Sequence, residues 1–453
     1  MQQAGNPAQP VPLDTSELTD AEKKQTMRKV TWRLVPLLII GYFISYIDRI
    51  NISFAKFGFE DHFNMDAATY GLAAGIFFLG YILAEVPSNI FMVRFGARKW
   101  LARIMISWGI VGALMAVAWN SESVIVLRFL LGIAEAGFFP GIILYLTYWY
   151  PNRERAKVVA TVMMAIPIAG LVGGPLNGWI LDTFGGLLGL DAWRWIFLVG
   201  GVPAFVLGIV FLFTLSDSPA KAKWLTDRQR TWIASTIAAE DATRSQTAPK
   251  GHWGALKNKK VLVLAAVYFL LQCGSYPLIY WLPSVIKGVG PGFDATTIGW
   301  LSAIPFLAAA VCMYIVGKTV STRRPSPPLI IALVISTLAF AATALLLGSA
   351  PTLAFLAVIV ATMAIQTSKP LFWNLPTSFL AGVGAASGIA LINSLGNAAG
   401  FFSPLAFGWI QDATGSSAVS ITVMVATNGL AALVVVALML FGRRNTAGIP
   451  AEK

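Results

Sequence analysis

A chain of 453 residues that is 57% hydrophobic and only 12% charged lacks the polar surface of a soluble protein, in which about a quarter of residues are charged. It is therefore read as an all-α integral membrane protein with no soluble domain of any size. Its net charge of +12 admits nucleic acid or anionic lipid as a partner, and the positions of the charges decide between them.

The first thirty residues are polar and mixed in charge (Asp14, Glu17, Asp20, Glu22, Lys23, Lys24, Arg28, Lys29). That pattern is wrong for a cleaved signal peptide, so 1–30 is expected to be a cytoplasmic tail. A bilayer core needs about 20 apolar residues per helix, and runs of that kind predict twelve spans. In chain order they lie near 31–54, 69–93, 102–119, 124–149, 158–181 and 195–215, then 261–286, 297–317, 328–348, 352–373, 386–411 and 418–441. Prolines within several runs do not exclude helix, because neighbouring helices satisfy the freed backbone groups.

If the amino terminus is cytoplasmic, 27 of the 33 Lys and Arg residues fall on the inner side, as the positive-inside rule requires. The outer connections carry acids instead: Glu60, Asp61, Asp66, Glu122, Asp191 and Asp294. Both termini are therefore expected inside, and the basic excess orients the chain in lipid without implying nucleic acid. Cys273 and Cys312 lie in apolar runs, and His62 and His252 in polar connections. No spacing fits a zinc, haem or iron–sulfur site, so neither metal nor cofactor is expected.

The connection 216–258 contains Thr226-Asp-Arg-Gln229, a capping box that predicts a short helix over 227–240. It divides the chain into halves, 31–215 and 259–441, with a tail at 442–453. The halves share a motif: GWILDTFG at 178–185 and GWIQDATG at 408–415, offset by 230 positions. The same offset carries span 1 onto span 7 and Arg94 onto Arg324. Two pseudo-symmetric six-helix bundles are a transporter arrangement, with the substrate site near the midplane between them.

Ionisable residues inside spans are costly and mark function. Asp48 and Arg49 fall in span 1, Glu85 in span 2, Arg128 and Glu135 in span 4, and Lys369 in span 10. Arg128 and Glu135, seven apart, share a helix face but stand about 10.5 Å apart along it. Asp48 and Arg49 point about 100° apart. Two guanidiniums at similar depth can grip a carboxylate, and burial lets Glu135 exchange a proton at ordinary pH. Salt bridges that merely lock helices together are the alternative reading. The second half offers polar and aromatic groups: Tyr268, Gln272, Tyr276 and Tyr280 in span 7, Trp373 and Asn374 in span 10, Asn393 and Asn397 in span 11. No nucleophile–base pair appears within the spans, so no catalytic residue is expected.

The stretches YIDRINISFAK (46–56), LAEVPSNIFMVRFGARKWLARIMISWG (83–109), RFLLGIAEAGFFPGIILYLTYWYP (128–151), WRWIFLVGGVPA (193–204) and ALINSLGNAAGF (390–401) resemble the anion:cation symporter family of the major facilitator superfamily. The resemblance is strongest to the bacterial tartrate, phthalate and 4-hydroxyphenylacetate permeases. It implies that Asp48 and Glu135 take up protons, that Arg49 and Arg128 bind a substrate carboxylate, and that Tyr46 and Tyr81 line the cavity. Tyr276, Lys369, Trp373 and Asn393 are the further expected substrate contacts. The superfamily's acidic residue before Arg-x-Gly is absent: Val93 precedes Arg94-Phe95-Gly96, and Thr322 precedes Arg323. This weakens the usual charge latch of Arg94 and Arg98, for which Glu85 is the candidate substitute. The expected protein is a monomeric, proton-coupled importer of a small carboxylate, with an exchanger or effluxer and an anion-sensing receptor as rivals.

Overall fold

The computed structural model describes residues 18–246, 258–319, 326–379 and 383–446. Among them there is no strand, and the helices are α1 (Asp20–Phe63), α2 (Ala67–Phe95), α3 (Ala97–Leu114), α4 (Ser121–Glu135), α5 (Phe138–Thr147), α6 (Asn152–Met163), α7 (Ala165–Thr183) and α8 (Ala192–Thr214), then α9 (Asp227–Gln246), α10 (Lys259–Val289), α11 (Ala295–Thr319), α12 (Ser326–Leu346), α13 (Pro351–Phe379), α14 (Val383–Thr414) and α15 (Ser417–Thr446). Among the described residues, eleven segments are long and apolar enough to cross a bilayer, α4 with α5 and α6 with α7 each acting as one. The expected eleventh span falls within α14. Residues 1–17 of the expected tail, Thr322, Arg323 and Arg324 of the second Arg-rich loop, and the end of the second tail lie outside the described residues.

Three helix boundaries depart from the hydropathy reading. α1 starts well before residue 31 because Thr19 and Glu22 cap it reciprocally, each accepting the other's backbone N–H; a capping box starts a helix whatever its hydropathy. Span 4 breaks after Glu135, where Gly137 adopts φ 84, a left-handed value that glycine reaches without strain. Span 5 breaks at Met164 between α6 and α7. Three residues on, Pro167 has no N–H with which to continue the ladder.

Small residues let the helices touch backbone to backbone, as is usual where lipid supplies no hydrophobic drive. A Cβ on Gly201 of α8 would stand 2.5 Å from the Ala113 nitrogen and 2.7 Å from the Gly109 oxygen of α3. Gly201→Val is accordingly expected to destabilise the protein by about 1–3 kcal/mol, the usual range for overpacking, read as a lower melting temperature of the purified protein. The two halves meet along two seams, α2 with α14 and α7 with α11. Gly71 and Gly75 of α2 lie against the Pro404 and Phe401 carbonyls, and Gly174 of α7 against the Gly299 carbonyl.

The turns at 63–67, 183–192, 289–295 and 414–417 gather at one end of the bundle, as the His62–Asp191, Asp412–Ala67 and Asp182–Ala295 contacts show. We call this the distal end. There Asp66 caps α2 and Asp294 caps α11, and the hydrogen bonds from Thr69 and Thr297 hold both carboxyls below their ordinary range. α9 lies at the opposite end, started by reciprocal Thr226–Gln229 bonds of 3.2 and 3.3 Å. The segment before it is pinned to the first half by the Trp149–Trp224 stack and by Lys29, which donates to the Trp224 carbonyl.

Candidate functional site

The site forms where α1, α2 and α4 meet. The 100° helical step between Asp48 and Arg49 sends them to different neighbours. Arg49 turns to α4 and meets Glu135, the last residue before the break. Its Nη2 is 2.6 Å and its Nε 3.1 Å from Glu135 Oε1, and Ser45, one turn earlier on α1, donates to the same oxygen at 2.8 Å. The pair is dry: its side chains are 14% and 1% exposed. The other oxygen, Oε2, is buried with no hydrogen-bond partner in the protein.

Arg128 lies nearly two turns from Glu135 on the same helix and is fully buried. Its Nε reaches the Ala73 carbonyl of α2 at 3.4 Å, while Nη1 and Nη2 have no partner among the described residues. Both cations lie against Phe77, with Arg49 5.4 Å and Arg128 4.9 Å from its ring centroid. Asp48 is buried against glycine walls: a Cβ on Gly112 of α3 or Gly200 of α8 would stand 3.6 or 3.5 Å from its Oδ1. Among the described residues neither oxygen has a well-formed hydrogen bond, the Trp108 indole N–H being the donor near enough to act on the carboxylate, and Arg128 and Glu135 are the charges that act on it most strongly. The four groups carry two positive and two negative formal charges, an arrangement that is dear to bury unless they compensate one another.

Aromatic rings complete the wall. Tyr46 and Tyr81 lie 5.2 and 5.5 Å from the Arg49 guanidinium. Across the halves, Tyr276 packs on Phe78 at 4.6 Å, within electrostatic reach of Arg49 and Tyr46, and donates to Asn397 Oδ1 at 3.1 Å. Asn393 sits half-buried one turn before Asn397. Trp373 stands edge-on to Tyr268 at 5.0 Å. Lys369 is half-buried on α13, and no hydrogen bond or ion pair to it occurs among the described residues.

The three residues expected to gate the opposite end are not brought together. Glu85 is buried on α2, one turn beyond Tyr81 and within the field of Arg49. Arg94 is exposed over Phe95, and no ion pair joins Glu85 to Arg94 or Arg98 among the described residues. Asp217, after α8, holds this loop instead, accepting the Arg98 backbone N–H at 3.0 Å and pairing with Lys221. Sequence reasoning missed Asp217, Ser45 and Phe77. Ser45 and Phe77 had a usable signal, since each lies one turn from a singled-out residue, Arg49 and Tyr81. Among the described residues, no three His, Cys, Asp or Glu side chains could hold a metal.

The sequence profile of the Major Facilitator Superfamily matches residues 38–404. The chain belongs to the Major Facilitator Superfamily. This superfamily member is 42% identical over 402 residues to the "Putative tartrate transporter" of Agrobacterium vitis, covering 88% of each chain. It is 38% identical over 399 residues to the "Quinolone resistance transporter" of Acinetobacter baumannii, covering 87% of this chain and 91% of that one. A solved D-xylose–proton symporter shares the fold, with a TM-score of 0.73 at 17% identity over 89% of this chain and 97% of the other. The protein is thus a multi-pass membrane transporter of the superfamily fold, and not an enzyme.

Proposed function

We propose that this transporter takes up a small organic anion, a carboxylate such as tartrate, a sugar acid, phthalate or a hydroxyphenylacetate, together with protons. In this reading it is a monomer of twelve spans in a bacterial inner membrane, both termini lie in the cytoplasm, and the distal end faces outward. The observation that carries the proposal is the Arg49–Glu135 pair at 2.6 Å beside an Arg128 whose two terminal nitrogens have no partner among the described residues. With both acids ionised, the four charges balance and Arg49 is occupied. A proton on Glu135 releases Arg49, and a proton on either Asp48 or Glu135 leaves the cluster net positive, so that an anion is favoured there. Two guanidinium forks then meet one carboxylate, the geometry in which arginine binds best.

Proton and substrate thereby favour the same state of the site, which is the thermodynamic requirement for coupling. The 42% identity to a protein named for tartrate supports the anion class. Right-side-out vesicles are expected to accumulate a labelled carboxylate only when the outside is more acidic; uptake indifferent to the gradient overturns the coupling. Binding partners are ranked by the melting-temperature rise that each acid produces in purified protein, since a ligand of the folded state stabilises it.

Lys369 tests the charge of the substrate. If its ammonium faces a second carboxylate, Lys369→Met weakens a dianion by about tenfold or more, the worth of one charge-assisted hydrogen bond, and leaves a monoanion unchanged. Equal affinities for both in wild type and variant remove Lys369 from the site. Efflux is a second reading, favoured by the relative named for quinolone resistance. Inverted vesicles with an acidic interior would then accumulate the anion, whereas symport predicts that they do not.

A further inference from the structure

We infer that Asp182 and Asp412, the aspartates of the repeated motif, are a pseudo-symmetric pair of gating residues that hold the distal end of the transporter shut. Each belongs to one half and caps a helix of the other. Asp182, near the end of α7, accepts the Ala295 N–H at 3.2 Å and the Thr296 N–H at 2.7 Å at the start of α11. Asp412, near the end of α14, accepts the Ala67 N–H at 3.0 Å and the Ala68 N–H at 2.6 Å at the start of α2. The third free N–H of each helix goes to its own cap, Thr297 to Asp294 and Thr69 to Asp66, both at 2.7 Å.

The first three N–H groups of both helices are therefore satisfied by two carboxylates, one from each half. A helix start carries unsatisfied donors and a positive end of the dipole, so each is a ready donor site for an aspartate arriving from across a seam. The motif's glycine makes the approach possible. A Cβ at Gly178 would collide with the Ala295 carbonyl and one at Gly408 with the Ala67 carbonyl. One turn separates glycine from aspartate in each copy, so the glycine brings the backbones together and the aspartate locks them. Between the seams, Tyr70 donates to the Tyr280 carbonyl at 2.8 Å and the Lys56 ammonium, paired with Glu60, lies 4.8 Å from the Trp281 ring.

Opening the distal end separates α7 from α11 and α2 from α14, and so breaks both locks at once and returns four backbone donors to water. The inference needs only that the protein alternates between two states, and it stands whatever the substrate or coupling ion. Asp182 and Asp412 touch neither Arg49 nor Arg128, so they act on the equilibrium between states and not on binding chemistry.

The test uses purified protein with Cys273 and Cys312 replaced by Ser and a reporter, Ser302→Cys, buried at the α7–α11 seam against Gly174. The rate of maleimide labelling measures how often that seam opens. Asp182→Ala with Asp412→Ala is expected to raise the rate by about tenfold, from the loss of two caps. The Asn versions fall in between, because the amide oxygen still accepts but carries no charge. Gly178→Ala, which leaves both aspartates intact, is expected to raise the rate as well. An unchanged rate in the double Ala variant, with elution profile and melting temperature equal to the parent's, overturns the inference. If that variant does not fold, the single Asn variants decide, and parental rates in both overturn it equally.

Discussion

Glu135→Gln is expected to abolish gradient-driven accumulation of the anion while leaving counterflow intact. Glutamine keeps the volume of the side chain and can still accept from Ser45, which lies 2.8 Å from the carboxylate oxygen, so the local packing survives. What it loses is the exchangeable proton and the ion pair with Arg49. A coupled charge crossing 100 mV contributes about 2.3 kcal/mol, so removing one coupled proton costs up to roughly fiftyfold in accumulation ratio. Counterflow needs only alternation and binding, and continues. The paired measurement separates the roles: loss of both activities identifies Glu135 as a structural partner of Arg49, and retention of both removes it from coupling.

Arg128→Met is expected to weaken anion binding by about a hundredfold or more, since it deletes two charge-assisted donors, each worth about 1.5–3 kcal/mol. The same change takes an incompletely satisfied cation out of a fully buried position. Taking one partner out of a buried, mutually compensating set of charges is destabilising, so the variant is also expected to melt lower than wild type. Arg128→Lys keeps the charge without the fork and is expected to recover only part of the affinity. Isothermal titration with the best-binding acid, alongside melting curves, checks both halves of the expectation. Unchanged affinity removes Arg128 from the site, and an unchanged melting temperature shows that it does not compensate the buried acids.

Much of this was legible in the sequence, and the reason differs from residue to residue. Hydropathy runs show where helix must lie, because every backbone donor in lipid needs an internal partner. The same rule says nothing of where a helix ends in water, so α1 extends beyond its predicted limits. Asp48, Arg49, Arg128 and Glu135 stood out because a charge in a span is too costly to be incidental. Their partnership did not: Arg49 and Glu135 are 86 positions apart, and only the reach of the Arg49 side chain from α1 to α4 selects Glu135, and not Asp48, as the partner of Arg49. Glu85 forms no ion pair with Arg94 or Arg98 among the described residues. Helical spacing from Tyr81 put it beside the cavity, and the loop around Arg98 was met by Asp217, 119 positions away.

The sequence by itself determined that this is a helical membrane protein, singled out its few buried charges as the candidate site, and carried one motif in both halves. These follow from composition, spacing and the cost of burying charge, all of which act along the chain. The tertiary structure alone decided which charges pair, that Phe77 packs against both arginines, and that the repeated aspartates cap helices of the opposite half. Those are contacts between segments far apart in the chain, where no periodicity reaches and where only the packed backbone brings donor to acceptor.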